Sequence, residues 1–344
     1  MAWLTDWNYR KQINITGQSG AGTNYQVKVL VGESSGATGE NFDLAEKAVS
    51  FPSSANDSGD IRFTASDGDT LLSFWVESVT GTTPNRLATI WVKVSANLDS
   101  NQSIYIYYGK SGAANVSSGS NTFIAFDDFE WGNDEDDLNT SGGSVTWTKV
   151  RGSAFIDTAR AYGGTRSARF TVNATYPEYT MPFSVSNEVS LIVRFYKNDG
   201  VGNGPNLSQG DGSNRWSIYV ATNETIRYYG ESETYPDVTC TPDAWQKIEI
   251  FNINHTAQTY SFKINDGSQI NATGMYNDGS YNGLLQLLAY KDGSGSVWYD
   301  DLIVRKWKST EPAYASAGGE EESSSSSSGS QRLHRTALSL CINA

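Results

Sequence analysis

The chain has 344 residues with 38% hydrophobic side chains, and it carries 38 acidic against 25 basic residues. Its formal net charge of −13 leaves no basic surface to neutralise phosphate groups, which argues against nucleic acid and anionic membranes as partners. Two histidines and two cysteines are too few for a His/Cys zinc site or a disulfide framework. No stretch approaches the roughly 20 apolar residues of a membrane span.

Short segments with alternating apolar and polar residues fill the first 110 positions. The clearest signal is Asp67-Gly68 between the runs 61–66 and 69–77, because an Asp-Gly pair readily adopts the positive φ of a tight β-hairpin. Apolar residues also recur with a period of two at 27–31, 88–94 and 104–108. The pattern predicts a first antiparallel β-sandwich over residues 1–120.

A stretch rich in Gly, Ser and Asn at 111–121 separates this series from a second one. The second series opens with FIAFDDFEW at 123–131 and closes with VWYDDLIVRKW at 297–307. Turn signals about every ten residues, without helical insertions, predict a second antiparallel sandwich, a jelly roll, over residues 121–312. The fold class is therefore all-β with two sandwich domains.

The end of the chain changes in composition. From Gly318 it reads Gly-Gly-Glu-Glu-Glu and then six serines, a sequence with nothing to bury. Residues 313–344 are therefore predicted to form a disordered tail.

Four ordered segments of the first part resemble a domain family of unknown function, DUF2341, which occurs in archaeal and bacterial surface proteins and in some viral proteins. The segments are 7–15, 60–77, 90–94 and 104–109. FDDFE at 126–130 and WYDDLIV at 298–304 resemble the opening and closing strands of concanavalin A-like lectin and glucanase jelly rolls. The resemblance implies such a jelly roll for the second domain, although a galactose-binding-like sandwich suits the same motifs.

No catalytic set accompanies this resemblance. Glucanases of the concanavalin A-like fold carry Glu-x-Asp-x-x-Glu on one strand, so that alternation places the carboxylates on one face. The run is absent here, and we expect no enzymatic activity.

Two acidic pairs suggest a metal site, Asp127 with Asp128 on the opening strand and Asp300 with Asp301 on the closing strand. If the ends of the sandwich pair, these carboxylates come close and repel unless a cation intervenes. Calcium, which takes six to eight oxygen ligands, is the expected ion. The alternative is that the acids lie in water at strand ends or pair with Arg305 or Lys306.

Sugar recognition needs an exposed aromatic ring beside polar groups. The ligand-binding candidates lie in two segments, RWSIY and RYY, and they are Trp216, Tyr219, Arg227, Tyr228 and Tyr229. The alternative is that these aromatic residues pack in the core, as most do in a sandwich.

These observations predict a non-catalytic surface protein that binds a glycan or a glycosylated surface through a calcium-stabilised jelly roll. The alternative is a structural or adhesion component of a virion or cell-surface filament, in which the sandwiches contact other copies or other structural proteins. Both functions place the protein outside the cell or on a cell or virion surface.

Overall fold

The computed structural model describes residues 2–139, 143–172, 175–183, 188–198, 204–221, 223–229, 233–234, 238–277, 283–289 and 295–323. Within these ranges the chain forms 25 strands and one short helix, and this confirms the all-β prediction. No helix in this part of the chain is long and apolar enough to cross a membrane.

The first eight strands form most of one sandwich. They are β1 (Tyr9–Thr16), β2 (Tyr25–Gly32), β3 (Phe42–Asp43), β4 (Arg62–Thr64), β5 (Leu71–Leu72), β6 (Phe74–Thr80), β7 (Leu87–Val94) and β8 (Gln102–Tyr108). The helix α1 (Gly119–Thr122) follows, with the Ser118 side chain accepting a hydrogen bond from the Asn121 amide at its start.

The remaining strands continue the chain through a second sandwich. They are β9 (Ala125–Asp127), β10 (Thr148–Arg151), β11 (Ala154–Asp157), β12 (Ser167–Val172), β13 (Glu178–Pro182), β14 (Val189–Lys197), β15 (Pro205–Gly210), β16 (Asn214–Val220), β17 (Ile226–Tyr229), β18 (Glu233–Thr234), β19 (Trp245–Asn254), β20 (Thr259–Ile264), β21 (Ile270–Thr273), β22 (Tyr276–Asn277), β23 (Leu284–Ala289), β24 (Gly295–Lys306) and β25 (Ala313–Glu322).

The first sandwich packs two sheets around one core. The β1 sheet has the order β25-β1-β8-β4-β5, and the β2 sheet has the order β3-β2-β7-β6. Alternation brings Val27, Val29 and Val31 of β2 into this core. The predicted hairpin is present as β4–β5, but the run 69–77 is split at Ser73, where the chain passes from one sheet to the other. The sheets are antiparallel apart from the short parallel pair β2–β3.

The second sandwich has a separate core. The β13 sheet has the order β10-β13-β23-β15-β16-β17-β18, with β22 on β16. The β14 sheet has the order β11-β12-β24-β14-β19-β20-β21, with β9 on β24. The opening and closing strands therefore lie side by side as the sequence predicted, with Asp127 opposite Leu302.

The prediction of a disordered tail from residue 313 was wrong for residues 313–322. These residues form β25, which pairs antiparallel with β1 at the edge of the first sandwich. Backbone hydrogen bonds and three ion pairs stabilise the strand: Arg10–Glu321 at 2.7 Å, Lys47–Glu320, and Lys47–Glu322 at 3.4 Å. The composition of the segment did not predict this strand, because its small and acidic residues show no alternating apolar pattern. Pairing with a neighbouring strand is what holds it in place. Residues 324–344 lie outside the described residues.

The two sandwiches contact each other through a small apolar cluster. Trp75 and Trp91 of the first meet Ile192 and Ile303 of the second, and all four side chains are buried. Two phenylalanines of the connecting segment complete the cluster, Phe123 and Phe126. The predicted aspartate site lies beside this contact.

Candidate functional site

Trp216 and Tyr228 are buried in the second core, so the prediction that they present a ring to a sugar was wrong. Trp216 is 0% exposed, and its indole N–H donates to the Gln209 side-chain oxygen at 3.1 Å. Tyr228 packs against Tyr260 and Phe262, with ring centroids 6.2 and 5.5 Å away. Strand alternation decides this, because both residues fall on the inward side of β16 and β17.

Tyr219 and Arg227 lie instead on the outer face of the β13 sheet. They are directly opposite each other across β16 and β17, while their neighbours Ile218 and Tyr228 face the core. Tyr229 pairs with Ser217 in the same strand pair, and its side chain lies outside what the structure describes. Two of the five predicted ligand residues are therefore neighbours on this side of the sheet, with Tyr219 9% exposed and Arg227 partly exposed.

The outer face carries two parallel rows of side chains that cross five strands. The first row follows the register Glu178, Leu288, Asn206, Tyr219 and Arg227. The second follows Thr180, Gln286, Ser208, Ser217 and position 229. With neighbouring strands about 4.8 Å apart, each row spans about 19 Å. We refer to these two rows as the polar face.

Hydrogen bonds fix the side chains of the polar face. The Gln286 amide donates to Glu178 Oε1 at 2.6 Å, and the Ser208 hydroxyl donates to Gln286 Oε1. Arg151 of the adjoining strand β10 pairs with Glu178 at 2.8 Å. The Ser217 hydroxyl donates to Asn206 Oδ1 at 3.3 Å. Because each of these side chains already has a partner, the group is held in one geometry.

Sequence reasoning missed most of this face. Glu178, Ser208 and Gln286 are more than 100 residues apart at the extremes, and no local motif links them. A signal existed in LLQLLA at 284–289, where a single glutamine interrupts an apolar strand. Its meaning depends on which side of the strand is inside, and the sequence does not specify this for a run so uniformly apolar.

The predicted metal residues come close together in the chain topology, but their carboxylates face different partners. Asp127 accepts hydrogen bonds from the indoles of Trp147 at 2.8 Å and Trp131 at 3.1 Å and from the Phe129 amide at 2.9 Å. Burial raises the pKa of Asp127 to about 6. The carboxylate oxygens of Asp127 therefore bond to donors of the second sandwich. Asp128 is partly buried and accepts from the Asn56 amide of the first sandwich at 3.1 Å.

Asp300 and Asp301 are each bound by protein donors. Asp300 accepts from the backbone amides of Tyr162 at 2.7 Å and Gly163 at 3.3 Å. Asp301 accepts from Arg194 Nε at 3.1 Å. Burial is the main cause that raises the pKa of Asp300 well above its usual range and that of Asp301 to about 7.

Arg194 is thus the cation beside the closing strand, and the alternative pairing of these acids with Arg305 or Lys306 was wrong. Arg305 pairs with Glu249 at 2.8 Å and with Glu311 at 2.9 Å. Lys306 reaches backbone carbonyls of the first sandwich. In the part of the chain that the structure describes, no three acidic, His or Cys side chains are placed to hold a metal ion. As placed, the four aspartates do not fit a calcium cage, and calcium stays an untested prediction.

Several solved structures resemble the chain weakly. An alginate lyase from a Chlorella virus is 9% identical, with a TM-score of 0.34 over 54% of this chain and 100% of that one. A botulinum neurotoxin type C structure is 10% identical, with a TM-score of 0.34, and the match spans 50% of this chain and 48% of that one. A xylan-binding domain from Paenibacillus barcinonensis is 18% identical, with a TM-score of 0.28 over 55% and 96%. At these scores the likeness carries no argument about ligand.

No curated protein matches the chain. The resemblance of the second unit to concanavalin A-like jelly rolls stays a prediction. The family model described as a domain of unknown function, DUF2341, matches residues 57–150. The match contains three of the four predicted segments in full and extends past the expected end into β10, whereas 7–15 lies outside it.

Proposed function

We propose that the second sandwich binds carbohydrate on the polar face, without catalysis. The observation that carries the proposal is the pair of rows in which amide, hydroxyl and guanidinium groups cross five neighbouring strands beside the ring of Tyr219. Sugars present hydroxyls that both donate and accept hydrogen bonds. A rigid sheet is a suitable support for a site of this kind, because its strands hold the binding groups at fixed spacing.

The position of each group supports this use. Asn206 and Arg227 are partly exposed, while Ser208 and Gln286 of the second row are almost fully buried. Tyr219 lies between Asn206 and Arg227 in the first row and is 9% exposed, so it lines this side of the sheet with an aromatic ring and a hydroxyl. A ligand would therefore meet the partly exposed side chains of Asn206 and Arg227 beside buried side chains that are already hydrogen-bonded.

The absence of catalysis is part of the same proposal. Glycoside hydrolysis requires two carboxyl groups about 5–9.5 Å apart. In the described rows the carboxylate is that of Glu178, and it is already bonded to Arg151 and Gln286. We expect no release of reducing ends from any polysaccharide that the protein binds, and measurable release would contradict this part.

A glycan array probed with the full chain tests the proposal. Asn206→Ala and Tyr219→Ala should each reduce binding to any positive glycan at least tenfold, because each removes a group from the first row. Asn271→Ala is the matched control, since Asn271 is exposed on the β14 sheet of the same sandwich. An array with no positive glycan, or equal loss in the control, would overturn the proposal.

Calcium is tested in the same protein by thermal melting with calcium and with chelator. The protein donors already bound to Asp127, Asp300 and Asp301 argue for a melting temperature that does not respond. A rise with calcium that Asp300→Asn abolishes would establish the calcium site instead.

The structural alternative, a component of a virion or a cell-surface filament, requires contacts between chains. The feature that favours it is the open edge of β25.

A further inference from the structure

The strand β25 is an edge strand of unusual length for this molecule. It runs for ten residues, and one side of it pairs with β1 through seven residue pairs. In the described residues no strand pairs with its other side. Unpaired backbone N–H and C=O groups along an edge form a ready template for another strand.

The other sheet edges in the described part are short or covered. The edge strands β3, β5 and β18 have two residues, and β10, β11 and β21 have four. β6 has seven, but loop residues bond its edge, with the Asn56 amide donating to the Val76 carbonyl at 3.0 Å and the Ser118 amide to the Phe74 carbonyl at 2.9 Å. β25 is the one described edge strand that is both long and open.

The side chains of β25 leave its edge accessible. Ala313, Ala315, Ser316, Gly318 and Gly319 are all exposed. The strand has no proline and no lysine, the residues that usually block such edges. The aromatic residue of β25, Tyr314, stacks on Phe42 with the ring centroids 5.9 Å apart, so its ring does not obstruct the edge.

We propose that β25 pairs with β25 of a second copy of this chain, antiparallel and about a two-fold axis. The strand is neutral from 313 to 319 and acidic from Glu320 to Glu322, so its two halves differ in charge. Centring the pair on Ala317 sets Glu320 opposite Tyr314 and Glu321 opposite Ala313. Centring it on Gly318 sets Glu320 opposite Ser316 and Glu321 opposite Ala315. In both registers each carboxylate faces a neutral residue, so self-pairing sets no like charges directly opposite each other.

The resulting dimer joins two five-stranded sheets into one continuous sheet of ten strands. Its contacts are backbone hydrogen bonds between edges, the mode by which extended segments add to sheets in other proteins. It uses the first sandwich, so it is independent of the polar face.

Sedimentation of the full chain over a range of micromolar concentrations tests the pairing. The wild type should show a monomer–dimer equilibrium. Replacing Ala315 and Ser316 together by glutamate places new carboxylates opposite or beside Glu320 and Glu321 of the partner copy, and should weaken the dimer about tenfold. Replacing the same two residues by lysine should weaken it less than glutamate does, since the lysines then face those glutamates.

The lysine variant is the matched control, because both double variants lose the same hydrogen bond from Asn14 to the Ser316 hydroxyl. Equal melting temperatures would show that neither variant unfolds the strand. A wild type that stays monomeric at every concentration would overturn the proposal. So would a dimer that responds equally to glutamate and to lysine, because its contact would then lie elsewhere.

Discussion

Trp216 lies at the centre of the second sandwich, with its ring 6.2 Å from that of Tyr260. We expect Trp216→Ala to lower the free energy of unfolding by about 3–5 kcal/mol, because the change leaves a large cavity. It also removes a hydrogen bond to Gln209. Urea unfolding measures the loss.

Tyr219→Ala is the control for this prediction, since Tyr219 lies on the same strand three residues later and on its other side. Tyr219 is 9% exposed but lies outside the apolar core cluster, so its truncation should cost less stability. Equal losses in the two variants would show that the assignment of the two faces is incorrect.

Asp301 makes stability depend on pH in a defined direction. Burial raises its pKa in the folded protein to about 7, above the ordinary value near 3.8 of the unfolded chain. The folded state therefore holds the proton more tightly than the unfolded state, and stability falls as pH rises from about 4 through 7. We expect Asp301→Asn to remove part of this fall, as measured by urea unfolding at several pH values.

Asp99 provides the control for this pH dependence. Hydrogen bonds led by that from the Gly22 amide lower the pKa of its exposed carboxyl, so its contribution has the opposite sign. Asp99→Asn should leave the fall between pH 4 and 7 in place. An unchanged slope in Asp301→Asn would contradict the prediction.

The β4–β5 hairpin connects a sequence signal to a backbone requirement. Gly68 has φ of +90°, and a Cβ there would lie 2.4 Å from the Ala2 carbonyl oxygen. Gly112 also has positive φ, +68°, but a Cβ there meets nothing within 4 Å. Both alanine variants pay about 1–2 kcal/mol for the left-handed backbone. Gly68→Ala should lose at least about 1 kcal/mol more, as measured by urea unfolding, and equal losses would contradict the predicted clash.

The same hairpin shows how far sequence patterns reach at the scale of elements. Asp67-Gly68 predicted the turn because few residue pairs adopt its backbone angles. The pattern did not predict the break at Ser73, because a strand that changes sheets keeps its alternation. Nor did it predict β25, whose stability comes from pairing with a strand about 300 residues earlier.

Sequence patterns are limited in the same way for the polar face. Tyr219 and Arg227 were identified because aromatic and basic residues are conspicuous in sequence, and Trp216 and Tyr228 were included for the same reason. Which of them face outward depends on the phase of each strand relative to the core. Gln286 and Glu178 become neighbours only through the strand order of the sheet, which local patterns do not contain.

At the scale of the whole molecule, Arg194 links the two sandwiches. Its guanidinium belongs to the second, donates to Glu77 of the first at 2.7 Å, and also contacts Asp301. It lies 3.8 Å from the centroid of the Tyr162 ring. A cation that serves both units in a largely buried position couples their unfolding, and we expect the wild type to melt in a single calorimetric transition.

Arg194→Met should separate this transition into two. The change leaves Glu77 and Asp301 facing each other without a cation at the edge of the apolar contact, and removing one partner of a buried pair costs about 3–5 kcal/mol. Arg160→Met is the matched control, because Arg160 stacks on Tyr196 and Trp298 within the second sandwich, 4.3 and 4.8 Å from their ring centroids. It should lower the melting temperature and keep one transition. A single transition in Arg194→Met as well would mean that the apolar cluster around Trp75 and Trp91 couples the sandwiches without the arginine.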